Sequence, residues 1–116
     1  MIHVLIIEPD ELQANGIRIS LQSVNRNIWI ATHLAEGIQA MKNIDFEFII
    51  TEISFPYMDM HAALEQIHQY SGAARLILIS AIVPDIQNSI RAKYNIITSL
   101  EKPLDLISLN ELLSAC

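Results

Sequence analysis

Few residues in this chain can do chemistry, and they are far apart. Glu8 and Asp10 flank Pro9 near the start, Glu52 follows an apolar stretch, Ser80 closes another, and Lys102 with Pro103 comes after a third. Carboxylates such as Glu8, Asp10 and Glu52 bind a hard cation or pair with an ammonium. A hydroxyl and an ammonium, as in Ser80 and Lys102, bind anionic oxygen. None of these residues acts alone, so their meaning depends on whether the fold brings them together.

Each follows a short run rich in β-branched residues. The runs are His3 to Ile7, Ile28 to Thr32, Phe46 to Thr51, Arg75 to Ser80 and Asn95 to Leu100. Most are near-continuously apolar, which is the pattern of strands covered on both faces in a parallel sheet. Between them apolar residues recur at helical spacing. Ala14, Ile17, Leu21 and Val24 follow an acidic start at Asp10-Glu11, and Leu34, Ile38 and Met41 form a second stripe. Met60, Ala63, Leu64 and Ile67 form the third. Ile86 and Ile90 mark the fourth, with Pro84 and Asp85 expected in its first turn, and Leu106, Leu109, Leu113 and Cys116 mark the fifth. Five alternations of strand and helix predict one doubly wound α/β sandwich, a five-stranded parallel sheet flanked by five helices, over residues 1–116. In such a sheet ligands bind outside the carboxyl ends of the strands. That rule gathers Glu8, Asp10, Glu52, Ser80 and Lys102 on one rim.

Composition narrows the classes. The 116 residues suit a single domain with one core. The net charge of −6 repels nucleic-acid phosphates, so no direct nucleic-acid contact is expected. No apolar run approaches a membrane span, and Met1 to Ile7 carry no signal-peptide pattern. The single cysteine, Cys116, forms no internal disulfide, which suits a cytoplasmic setting.

The rim residues resemble the response-regulator receiver family of two-component signalling, which has the flavodoxin-like (βα)5 fold. The resemblance covers the whole chain. It rests on the acidic residues after the first strand, the stretch from Glu52 through Pro56 to Met58-Asp59, the Ser80-Ala81 step and the Lys102-Pro103 step. The gaps of 28 residues from Glu52 to Ser80 and 22 from Ser80 to Lys102 match its pattern. The resemblance implies that Glu52 stands at the phosphoacceptor position. It also implies that Ser80 and Lys102 are the phosphoryl-binding pair, that Lys102-Pro103 is a cis peptide bond, and that Ser99 holds the aromatic switch position.

Three of these positions depart from the family. The acceptor is Glu52 and not aspartate, and one extra methylene displaces a carboxylate by about 1.5 Å. Reactive geometry tolerates about 0.5 Å. The acid that the resemblance implies as the direct Mg2+ ligand is Pro9, which has no ligand atom, and Asp10 replaces it only if the loop is rebuilt. Ser99 lacks the bulk of the switch residue. The expected function is therefore that of an atypical, degenerate receiver acting in signal transduction through phosphorylation-independent protein–protein interaction, with no enzymatic activity, cofactor or metal. Lys102 is expected to pair with Glu52 and with Glu8. The alternative is a Mg2+-dependent phosphoacceptor, the regulatory part of a transcription regulator.

The resemblance implies protein partners, a histidine kinase or an output domain, and homodimerisation through the face formed by the fourth helix, fifth strand and fifth helix. Arg91, Lys93 and Tyr94 are the interface candidates there, with Tyr94 as anchor. His61, Glu65 and His68 share one helical face at metal-ligand spacing, but are read as a solvated polar face. Isolated Gly16, Gly37 and Gly72 form no phosphate-binding loop.

Overall fold

In the computed structural model the described residues are 1–115; Cys116, expected on the fifth stripe, lies outside them. The elements run β1 (Ile2–Ile7), α1 (Glu11–Leu21), β2 (Arg26–Ala31), α2 (Leu34–Asn43), β3 (Phe48–Glu52), α3 (Met60–Tyr70), β4 (Arg75–Ser80), α4 (Asn88–Tyr94), β5 (Ile96–Glu101) and α5 (Leu106–Ala115). All strands are parallel, in the order β2-β1-β3-β4-β5. The winding reverses between β1 and β3, which opens a crevice above their carboxyl ends.

Successive side chains of a strand point to opposite faces, and here both faces are apolar. Leu5, Ile7, Ile49, Leu76 and Leu78 pack beneath residues of α2, α3 and α4. Val4, Ile6, Phe48, Ile50, Ile77 and Ile79 pack against Ala14, Ile17 and Leu21 of α1 and Leu109 and Leu113 of α5. The edge strand β2 differs, since its burial alternates. α2 sits close to the sheet at Gly37, where an added Cβ would lie 2.7 Å from Ile7 Cδ1.

The helices begin where side chains cap them. Asp10 accepts from the Gln13 N–H, and Asp59 from the Ala62 N–H, satisfying donors that the first turn leaves open. α4 ends at Asn95, whose φ of 57° is left-handed. The Asn95 amide donates to the carbonyls of Ala73 and Ala74, pinning that turn to the start of β4.

Several expectations need correction. Val24 is off the first helical stripe: α1 ends at Leu21 with Gln22 as its cap, and Val24 is exposed. Pro84 and Asp85 do not form a first turn, because α4 begins at Asn88 with Gln87 as its cap. Ile86 is thus a buried loop residue preceding the helix. β3 starts at Phe48, two residues later than expected, and reaches Glu52.

Candidate functional site: a carboxylate rim closed by a lysine

Glu8 immediately follows β1, where its N–H donates to the Ala31 carbonyl of β2. Glu52 is the last residue of β3. Both carboxylates are buried, which is rare unless the charge is matched. The match comes from the far edge of the crevice. Lys102 follows β5, and its N–H donates to the Ser80 carbonyl. Its Nζ donates to Glu8 Oε1 at 2.5 Å and to Glu52 Oε1 at 2.7 Å. The lysine side chain is 16% exposed. Burial alone would lower its pKa, but the bonds to Glu52 and Glu8, and their charges, outweigh burial and hold it above the ordinary 10.5.

The remaining carboxylate oxygens are also engaged. Glu8 Oε2 accepts from the Asp10 N–H at 3.1 Å. Glu52 Oε2 accepts from the N–H groups of Ile53 at 2.8 Å and Ser54 at 3.3 Å. The rim therefore joins three strand ends through charge-assisted bonds. Two carboxylates and one ammonium leave a residual negative charge.

The other candidate residues stand apart from this pair of bridges. Pro9 is exposed, and Asp10 is occupied in capping: its oxygens accept from the backbone N–H and the side-chain amide of Gln13. Ser80 is buried; its hydroxyl accepts from the Ile82 N–H at 3.3 Å and lies 3.4 Å from the Ser54 hydroxyl. The Lys102–Pro103 peptide bond is cis. Ser99 Oγ is buried without a hydrogen-bond partner among the described residues.

At the α4 end, Arg91 donates from Nε to the Ile86 carbonyl. Lys93 Nζ and the Tyr94 hydroxyl both donate to Glu65 Oε1 of α3, at 2.7 and 2.5 Å. Tyr94 is 3% exposed. Its expected role as a surface anchor is therefore corrected: its ring belongs to the core beside α3. His68 meets the same ring edge-on at 5.5 Å. Glu65 is thus committed to α4, and no group of three potential metal-ligating side chains occurs among the described residues.

The backbone N–H groups of Ile53, Ser54 and Ile82 were not visible to sequence reasoning. Backbone donors carry no sequence signal of their own; only the small polar residue two places after Glu52 hints at a turn able to supply them.

No protein-family model and no curated protein sequence matches the chain. Solved structures do match it. A two-component response regulator from Clostridium difficile is 20% identical, with a TM-score of 0.85 over 99% of this chain and 94% of the other. A CheY-like response regulator receiver domain protein from Methanospirillum hungatei JF-1 is 18% identical, with a TM-score of 0.84 over 99% and 92%. The response regulator TrrA from Thermotoga maritima, solved in complex with Mg2+-BeF, is 16% identical, with a TM-score of 0.76 over 99% and 98%. These likenesses show that the chain has the fold of response-regulator receiver domains.

Proposed function

We propose that this chain is a receiver-type signalling domain that works by protein–protein contact, without accepting a phosphoryl group and without turnover. One observation carries the reading: the Lys102 ammonium bridges two buried carboxylates, Glu8 and Glu52, at the place where the family's chemistry needs a divalent cation and an aspartyl oxygen.

The donor set does not fit Mg2+. That ion demands near-octahedral oxygen ligands directed at one point. Pro9 supplies none, Asp10 accepts from the backbone N–H of Gln13 through Oδ1 and from its side-chain amide through Oδ2, and the remaining carboxylates already face an ammonium. The acceptor does not fit either. Phosphoryl transfer requires an oxygen in line with the donor and a cation to neutralise developing charge. Glu52 has one oxygen on Lys102 and the other on two backbone N–H groups. The bridges instead hold the ends of β1, β3 and β5 in one arrangement, a fixed surface for a partner. A single cysteine suits signalling in the reducing cytoplasm.

The test is incubation with Mg2+ and acetyl phosphate, read by intact mass. The expected result is an unmodified chain. A stoichiometric phosphoryl adduct overturns the reading and establishes a Mg2+-dependent acceptor in its place.

A further inference from the structure

A cavity of about 570 Å³ opens beside the rim, between α1 and the turn that leads from β5 into α5. Ile17, Ala81, Leu104 and Leu106 wall it with carbon, and Gln13 and Lys102 are its polar members. Small-molecule sites are hollows of this size, with apolar walls and a few polar groups that fix orientation. Lys102 is its charged lining residue.

Two observations point to an occupant. The first is Gly16, at the centre of α1. Glycine weakens a helix interior. Gly37 is required by the sheet beneath α2, but a Cβ on Gly16 would meet nothing of the rest of the protein within 4 Å. Its backbone is ordinary helix and does not need glycine either. What the missing side chain does is leave one wall of the cavity bare. The second observation is Lys102. An ammonium has three N–H donors. Two go to Glu8 and Glu52, and the third has no partner among the described residues. A side chain only 16% exposed thus brings one open donor to an apolar hollow. The group it wants is an acceptor. A cationic ligand would set donors against a donor. An anion fails on charge, because two carboxylates and one ammonium already leave a negative excess. Asp105 stands exposed between Leu104 and Leu106, and Asp10 holds the Gln13 amide, so further acids flank the opening.

We propose that this cavity binds an uncharged, largely apolar small molecule whose carbonyl oxygen accepts the third N–H of Lys102. The apolar body lies against Gly16, Ile17, Leu104 and Leu106. No covalent step is involved, because Lys102 stays protonated between Glu8 and Glu52, and an ammonium has no free electron pair to attack the carbonyl. The site goes beyond the contact-module reading and does not depend on it.

The probe is benzophenone, titrated into the whole chain and followed by amide chemical shifts. Three molecules with the same pair of rings are its controls: diphenylmethane without the oxygen, diphenylacetate as the anion and diphenylmethylammonium as the cation. Benzophenone should give saturable shifts at Gly16, Ile17, Ala81, Lys102 and Leu104. Diphenylmethane should bind about fivefold more weakly, for want of the hydrogen bond. The two ions should bind at least about tenfold more weakly. Gly16→Leu carries a side chain into the hollow and should weaken benzophenone about tenfold or more. Leucine also favours the helix, so the melting temperature of that variant should hold or rise, which separates a filled site from a damaged fold. Shifts that fail to saturate, or that map to other faces, overturn the proposal. So does binding of diphenylmethane or of either ion as tight as that of benzophenone, and so does a Gly16→Leu chain that binds benzophenone as before. No phosphoryl donor is present, so an adduct in the mass experiment would end the contact-module reading without bearing on this result.

Discussion

Replacing Lys102 by methionine tests the rim most directly. Methionine keeps most of the side-chain stem and removes the charge, so packing changes little and the loss is electrostatic. Two buried carboxylates, Glu8 and Glu52, are then left facing each other without their shared cation. Removing one partner of a buried ion pair costs about 3–5 kcal/mol. The cost here is smaller for two reasons. The lysine is not fully sealed from solvent, and the carboxylates keep their bonds to the N–H groups of Asp10, Ile53 and Ser54. A loss of about 2–3 kcal/mol is expected, and with a urea dependence of about 1.5 kcal/mol per molar the midpoint falls by about 1.3–2 M. A triple variant that adds Glu8→Gln and Glu52→Gln should recover much of this, since no buried charge remains unmatched. The pH dependence has a definite sign. The pKa of Lys102 is raised in the fold, so its contribution is complete below the ordinary 10.5 and fades as pH climbs through the raised value. The gap between wild type and Lys102→Met should therefore hold at neutral pH and close only in strong alkali. A midpoint shift under about 0.3 M, or a triple variant no better than the single one, would refute the rim as a stabilising ion-pair network.

Three further outcomes are expected. Gly37→Ala ordinarily strengthens a helix by about 1 kcal/mol, but its Cβ would meet Ile7, so a net loss of about 1–2 kcal/mol in urea melts is expected; a gain would mean that α2 can move off the sheet. Ser99→Ala removes a buried hydroxyl without a partner and should leave stability unchanged or raise it by about 0.5–1 kcal/mol, whereas a clear loss would reveal a bond at Oγ. The bond from Lys93, with that from Tyr94, holds the carboxyl of Glu65 below its ordinary 4.5, so this contribution is present above that value and fades below it. The difference in melting temperature between wild type and Glu65→Gln should shrink as pH falls from about 7 to about 3, and a constant difference would remove Glu65 as the tie between α3 and α4.

How much of this was readable beforehand follows from what each residue type signals. Near-continuous apolar runs marked a parallel sheet covered on both faces, though not its strand order, and strand-end logic put Glu8, Glu52, Ser80 and Lys102 on one rim. The misreadings lie where pattern and packing part. Val24 continues the α1 stripe in sequence, but Gln22 has already turned the chain into extended backbone. Pro84-Asp85 looks like a helix start, yet the chain winds only after Ile86 has been buried. Tyr94 resembles a surface anchor because it neighbours Lys93, and only the tertiary structure shows its ring inside with its hydroxyl on Glu65. Asp10 seemed available to the rim, whereas the same side chain is a strong N-cap, and the open donors of α1 claim it.

The two outer strands carry a last consequence. A parallel sheet closed on neither side offers two ribbons of open backbone to any passing strand, and such ribbons seed aggregation. In this chain the most apolar strands are kept inside, while β2 presents Arg26 and Asn27 beside its exposed Trp29, and β5 presents Thr98 and Glu101. These polar and charged positions make each border a poor template for joining another sheet. The same arrangement protects the chain while it folds, because the strands most prone to clump are those that a finished neighbour must cover on both sides.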